Sequence, residues 1–358
     1  SGTTGRPKGV KPELPTGDVG DETPLTRMGA SLYGMGPDTV YLSTSPLYHA
    51  APLRWAMAVL QMGGRVIVME RYDAEAVLDL VQKYRVTHAT FVPTHFVRML
   101  HLEPETRNRY DLSSLRAVIH AAAPCPVPVK HAMIDWLGPI IHEYYAGTES
   151  CGITALDSHE WLQKRGSVGR AVLGKLHVVG EDGSELPTGE PGQIYFSDGP
   201  KFEYLNDPAK TADAHNDRGW ATLGDVGRVD EDGYLFLTDR KNFMIISGGV
   251  NIYPQEIENA LITHGSVADA AVIGVPCDEM GESVVAIVEP RNADCDREEL
   301  AAELRDFIRA ELGGVKTPRR FEIVAELARE PTGKLLKKKI REDYLARAGS
   351  APAFANAR

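Results

Sequence analysis

The sequence predicts a two-lobed α/β protein, and three features of its patterning carry that expectation. Between residues 39 and 162, short β-rich runs alternate with amphipathic helical stretches, the pattern of a largely parallel sheet covered by helices. Between residues 166 and 237 the chain changes to short strands broken by turn clusters. Beyond Arg240 an α+β unit begins. The expected large lobe (1–239) therefore combines an αβ sheet subdomain (33–163) with a small β-barrel-like subdomain (165–238), and a smaller α+β C-terminal domain (240–345) and a tail (346–358) follow.

Taken in order, residues 11–30 are crowded with Pro12, Pro15, Gly17, Gly20 and Pro24 and read as an extended loop. Leu53, Trp55, Met57, Leu60 and Met62 suit a core helix better than a pocket for a greasy acid. Residues 64–69, 88–92 and 115–121 are β-rich and read as strands, whereas residues 74–84 repeat their apolar side chains at helical spacing. Glu181-Asp182-Gly183, Pro187-Thr188-Gly189 and Asp230-Glu231-Asp232-Gly233 are turn clusters that cut the next region into short antiparallel strands. In the last unit, Leu300, Leu304, Phe307, Ile308 and Leu312 share one face of a helix over 298–312, which Gly313 and Gly314 end. Leu336, Ile340 and Tyr344 form a second apolar stripe, with Lys337, Lys338 and Lys339 expected on a solvated face. The Ala-rich residues 346–358 lack an apolar pattern and read as a frayed tail.

Composition removes several function classes. Apolar residues make up 43% and charged residues 25% of 358, a balance that excludes wholesale disorder and supports a sizeable interior. Thirty-nine basic against fifty acidic residues leave a net charge of -11, which argues against a nucleic-acid partner. Cys125, Cys151, Cys277 and Cys295 lie far apart without ligand spacing, so a reducing cytoplasm is expected and a disulfide framework or zinc cluster is not. No apolar run reaches membrane-spanning length.

The chemistry concentrates in motifs. Ser1-Gly2-Thr3-Thr4-Gly5-Arg6-Pro7-Lys8-Gly9 offers backbone N–H groups, three hydroxyls and an ammonium within nine residues, the donors that surround a polyphosphate such as that of ATP. It is not a Walker loop, since Pro7 precedes Lys8 and Gly9 follows it. Further along stand Tyr145-Ala146-Gly147-Thr148-Glu149, Gly224-Asp225, Asp239-Arg240-Lys241, Ser247-Gly248-Gly249-Val250-Asn251-Ile252-Tyr253-Pro254 and Pro331-Thr332-Gly333-Lys334. In wording and order these motifs resemble the acyl-adenylate-forming superfamily of acyl-CoA synthetases, luciferases and peptide-synthetase adenylation domains, most of all a bacterial fatty-acyl-CoA synthetase. Members carry a long segment upstream of the phosphate loop, so the resemblance implies a chain truncated at its N-terminus.

That resemblance implies an enzyme using ATP, Mg2+ and coenzyme A, with the C-terminal domain acting as a lid. On it, Thr3, Thr4, Gly5 and Lys8 hold phosphates, Ala122 and Ala123 line the adenine pocket, and Tyr145 stacks on the base. Glu149, with Thr3, holds the metal, a hard cation that prefers oxygen ligands, and Thr148 lends a hydroxyl. Asp225 offers acceptors to the ribose hydroxyls, Arg240 reaches the ribose or the α-phosphate, and Asn242 is the hinge. Lys334 is the catalytic lysine, bridging the substrate carboxylate and the α-phosphate. Ser247, Gly248 and Gly249 line the coenzyme A thiol arm. Apart from the resemblance, His49 reads either as a gate of the acyl pocket or as a packed or solvent-facing histidine.

Amino-acid-activating relatives place an Asp where this chain has Ser45-Pro46-Leu47-Tyr48-His49-Ala50-Ala51-Pro52. With no carboxylate there, a substrate ammonium would stay unpaired, so a carboxylic acid without an α-amine is expected, fatty or otherwise hydrophobic. Two rivals stay open: transfer to a carrier-protein thiol, and a non-catalytic nucleotide-binding remnant. A homodimer is allowed without being required.

Overall fold

A computed structural model describes residues 9–12, 17–18, 20–240, 243–329 and 335–349, with residues 239, 240, 348 and 349 described by their backbone alone. The chain divides after Leu237 into two compact units.

In the larger unit seven strands form the main sheet, in the order Arg65–Val68, Val40–Ser43, His88–Phe91, Ala117–His120, Ile141–Ala146, Ile153–Leu156, Arg170–Leu173. The first five are parallel and the last two join antiparallel. Parallel strands need crossovers, and the helices Ala50–Gln61, Ala74–Tyr84, Pro93–Leu100 and Val127–Leu137 supply them. A sheet covered on both faces buries even its alternate residues, and all four of Ala117–His120 are buried. Trp55, Val59, Tyr41 and Ile119 fill one side of this core. A second sheet of four antiparallel strands runs in the order Leu235–Arg240, Ala221–Val229, Gly192–Ser197, Lys175–Val179 around Val178, Ile194, Phe196 and Leu235. A ribbon pairs Val10–Pro12 antiparallel with Phe202–Tyr204.

The smaller unit is a five-stranded sheet centred on the long hairpin Val267–Cys277 and Gly281–Pro290. The strand Val267–Cys277 alternates allegiance: Ala270 and Val272 pack with the helices Pro254–Leu261 and Arg297–Leu312, while Ala271 and Ile273 pack with Ile340 and Tyr344 of the helix Lys337–Gly349.

Four expectations change. Residues 24–33 are helical (Pro24–Tyr33) instead of extended, because Thr23 and Thr26 form a reciprocal capping box, Pro24 fits the first turn, and Gly34 closes the end at φ 66°. Of the apolar residues around the helix Ala50–Gln61, Trp55 enters the core, but Leu53, Met57 and Leu60 are exposed. The last helix continues through Gly349, so residues 346–349 are not a frayed tail. Lys337 is buried instead of solvated: its Nζ lies 2.9 Å from Glu258 and over the Phe243 ring. Lys338 and Lys339 stay exposed beside Glu342 and Asp343. Among the described residues, no helix is long and apolar enough to cross a membrane.

Candidate active site

Three motif segments leave the same edge of the main sheet, because each follows the carboxyl end of a parallel strand: 44–52 after Val40–Ser43, 121–126 after Ala117–His120, and 147–150 after Ile141–Ala146. Open α/β sheets bind ligands at this edge.

The Tyr145 hydroxyl donates to Asp225 Oδ2 at 2.6 Å, joining two motifs eighty positions apart. Its ring lies against Phe196, with centroids 6.2 Å apart and planes 27° from parallel. Asp225 is only 7% exposed, on the strand Ala221–Val229. Its approach is fixed by Thr222, whose hydroxyl accepts from the Gly224 amide and donates to the Ile194 carbonyl. Ala122 and Ala123 are exposed, and Ala122 takes φ 76°, a left-handed conformation uncommon for alanine.

Glu149 is half-buried, and the Tyr204 hydroxyl donates to its Oε1 at 2.7 Å. Its Oε2 sits so close above Gly147 that a Cβ there would lie 2.7 Å from it and 2.4 Å from a Leu223 methyl, so a side chain at this position would push the Glu149 carboxylate and Leu223 aside. Arg54 holds the same turn by donating to the Ser150 hydroxyl at 2.8 Å and the Thr148 carbonyl at 3.3 Å. Beneath lies Cys151, whose thiol burial, reinforced by the Glu149 charge, pushes up to about 12, leaving it an inert neighbour.

Tyr204 and Arg54 carry no sequence signal: one stands in a short ribbon strand, the other on a helix chosen for its apolar residues. Tyr204 also stands next to a contact with the end of the Ser1–Gly9 motif. Its neighbour Leu205 donates its amide to the carbonyl of Gly9, the loop's last residue, at 2.8 Å. His49 is half-buried at the N-cap of Ala50–Gln61, its ring 4.4 Å from that of Tyr48. Thr3, Thr4, Gly5, Lys8, Asn242 and Lys334 lie outside the described residues, as does the side chain of Arg240, whose backbone ends the strand Leu235–Arg240.

In the smaller unit Ser247 is buried, and Gly248-Gly249 form a two-residue hairpin turn pairing Ser247 with Val250. Both glycines have positive φ, 57° and 78°, as that turn demands, and the Gly248 amide donates to the Met280 carbonyl.

Among the described residues no three His, Cys, Asp or Glu side chains gather to hold a metal unaided. One tethered carboxylate instead suits Mg2+, which takes one or two protein oxygens and completes its shell from phosphates and water.

Comparison with known proteins makes the class of this α/β protein specific. The AMP-binding enzyme profile matches residues 1–201, and that of the AMP-binding enzyme C-terminal domain matches residues 256–334. The chain belongs to the AMP-binding enzyme family. It is 33% identical over 360 residues to a medium/long-chain-fatty-acid–CoA ligase of Mycobacterium tuberculosis, covering 98% of this chain and 61% of that relative. A feruloyl-CoA synthase of Amycolatopsis is 36% identical over 96% of this chain and 68% of its own length. Among solved structures, the o-succinylbenzoate–CoA synthetase of Bacillus subtilis with ATP and magnesium ion matches at TM-score 0.80 and 27% identity, over 95% of this chain and 68% of that one. The chain thus spans roughly two thirds or less of the relatives it matches.

Proposed function

We propose that the protein is an ATP-dependent acid–thiol ligase that adenylates a hydrophobic carboxylic acid, releases pyrophosphate and passes the acyl group to coenzyme A. The observation that carries this reading is the position of Tyr204, which holds the Glu149 carboxylate through its hydroxyl while the next amide holds the end of the phosphate loop. In this reading Glu149 is the metal-seeking carboxylate and the motif that ends at Gly9 supplies the polyphosphate cradle.

In this reading Tyr145 stacks on adenine against the segment of Ala122 and Ala123, and Asp225 accepts from the ribose hydroxyls. Thr3, Thr4, Gly5 and Lys8 take the phosphates, and Thr148 offers its hydroxyl beside them. Glu149 and Thr3 hold Mg2+, which when bound neutralises phosphate charge. Attack of one anion on another needs that neutralisation, and Arg240 and Lys334 add to it, Lys334 by bridging the acid and the α-phosphate. Residues 240–345 act as a lid hinged at Asn242, which lets Ser247, Gly248 and Gly249 receive the thiol arm in the second half-reaction. His49 gates the acyl end. The absence of a carboxylate in 45–52 and the exposed Leu53, Met57 and Leu60 support an apolar acid without an amine. A homodimer and a cytoplasmic location are compatible with this role.

Acid-dependent exchange of pyrophosphate into ATP, across a panel of fatty and aryl acids, tests the first half-reaction. No exchange with any acid, in a chain extended to the length of the relatives, contradicts it and favours a nucleotide-binding remnant. Lys334→Ala should abolish exchange yet spare thioester formation from supplied acyl-AMP; product that forms on a carrier protein and not on free coenzyme A would reassign the acceptor.

A further inference from the structure

The main sheet carries a buried ion pair that the proposed chemistry does not use. His120 and Glu143 are direct partners on adjacent parallel strands, 0% and 4% exposed. Lys130, from the helix Val127–Leu137, is 0% exposed and places its Nζ 2.6 Å from Glu143 Oε2 and 5.0 Å from the centre of the Trp161 ring. His120 Nε2 stands 3.5 Å from the same oxygen, and neither ring nitrogen has a hydrogen-bond partner among the described residues. Burial, then the Lys130 charge, holds this imidazole well below its ordinary range, so it is neutral.

Taking an ammonium and a carboxylate out of water costs more than apolar side chains of equal volume would, so stability alone does not account for the pair. Its place in the fold does. Residues 121–126 run from His120 to the helix that carries Lys130, and within them Ala122 holds φ 76° while exposed to solvent. A strained residue without burial must be held from its flanks. Both flanks end on Glu143, which lies two residues before Tyr145. Glu143 therefore joins the chain on the two sides of the proposed adenine slot, by strand pairing with His120 and by its carboxylate to Lys130.

We propose that Lys130 and Glu143 are positioning residues that set the Ala122 backbone against the Tyr145 ring, and so give the nucleotide site its selectivity for adenine. This inference rests on the nucleotide reading above.

The test is equilibrium binding of ATP, GTP and inorganic pyrophosphate to the purified full chain and its variants, with urea midpoints confirming that each is folded. Replacing both charges together, Lys130→Met with Glu143→Leu, should weaken ATP about tenfold and erode the preference over GTP, with pyrophosphate held within about twofold. Adding Ala122→Gly to that variant should recover part of the loss, because glycine takes a positive φ without steric penalty. Should the double variant not fold, the isosteric Glu143→Gln is read by the same ratios. Unchanged ATP binding, or equal loss of ATP and pyrophosphate, overturns the inference while leaving the nucleotide reading intact. A wild-type chain that binds no ATP overturns both.

Discussion

Replacing Tyr145 with phenylalanine removes one oxygen and keeps the ring, which isolates the bond to Asp225. That bond is short, 2.6 Å, and its acceptor is a carboxylate 7% exposed. A hydrogen bond to a charged group contributes about 1.5–3 kcal/mol, so the free protein should lose roughly that much stability. For a unit of this size the loss corresponds to about 3–12 °C in Tm. If Asp225 receives the ribose, bound AMP returns donors to the carboxylate, and the variant should recover what it lost. The AMP-induced rise in Tm should therefore be larger in Tyr145→Phe than in wild type at matched saturation. Scanning fluorimetry across an AMP titration, with urea denaturation as a second measure, reads both quantities. Equal AMP-induced rises would refute the ribose role and reduce Asp225 to a group that steadies its own turn.

The other expectations concern individual contacts. Gly147→Ala puts a methyl where the Glu149 carboxylate and the Leu223 side chain must swing aside, so Mg2+-dependent ATP binding should fall while metal-free binding changes less, measured by titration with and without magnesium. Gly249→Ala, with open space around its Cβ but φ 78°, should cost about 1 kcal/mol in urea denaturation. Gly248→Ala, at φ 57°, should cost a similar amount, since only the flexible end of Met280 stands near its Cβ. Burial, then the Arg98 charge, lowers His95 from 6.5 to about 3, so the fold binds its proton less readily than the unfolded chain. Its contribution is complete above pH 6.5 and is lost as pH falls toward 3; His95→Gln should flatten that limb of the stability profile.

Elements whose determinants are local were legible. The helix Ala74–Tyr84 falls where its apolar spacing puts it, because Val77, Leu78 and Val81 share a face and Asp73 caps its start. The strand Ala117–His120 was legible for the opposite reason, since burial on both sides left a run with no polar break. Pro24–Tyr33 was missed although its cap is local too: the density of proline and glycine ahead of it outweighed Thr23-Pro24, itself a start signal. Lys337 was hidden by its neighbours. Three lysines in succession look solvated, yet 337, 340 and 344 fall on one helical stripe, so the first belongs with Ile340 and Tyr344 while the next two face outward.

The candidate site divides along the same line. Motif wording singled out Tyr145, Glu149 and Asp225, because short segments with special turns and functional side chains are contiguous in sequence. What holds them is not contiguous: Tyr204 reaches Glu149 across fifty-five positions, Arg54 reaches Ser150 across ninety-six, and each link is set by how strands pair and helices cross. The ribbon shows why this matters physically. Val10 pairs with Tyr204 in a stretch of only three residues on each strand, so the phosphate loop's exit and the Glu149 carboxylate share one small anchor. A pair of strands that short is marginal alone and depends on Phe202, Tyr204 and Val10 packing with the second sheet's core. If the proposed roles of the motif and of Glu149 hold, loosening that packing should disturb phosphate and metal binding together, before the parallel sheet beneath is affected.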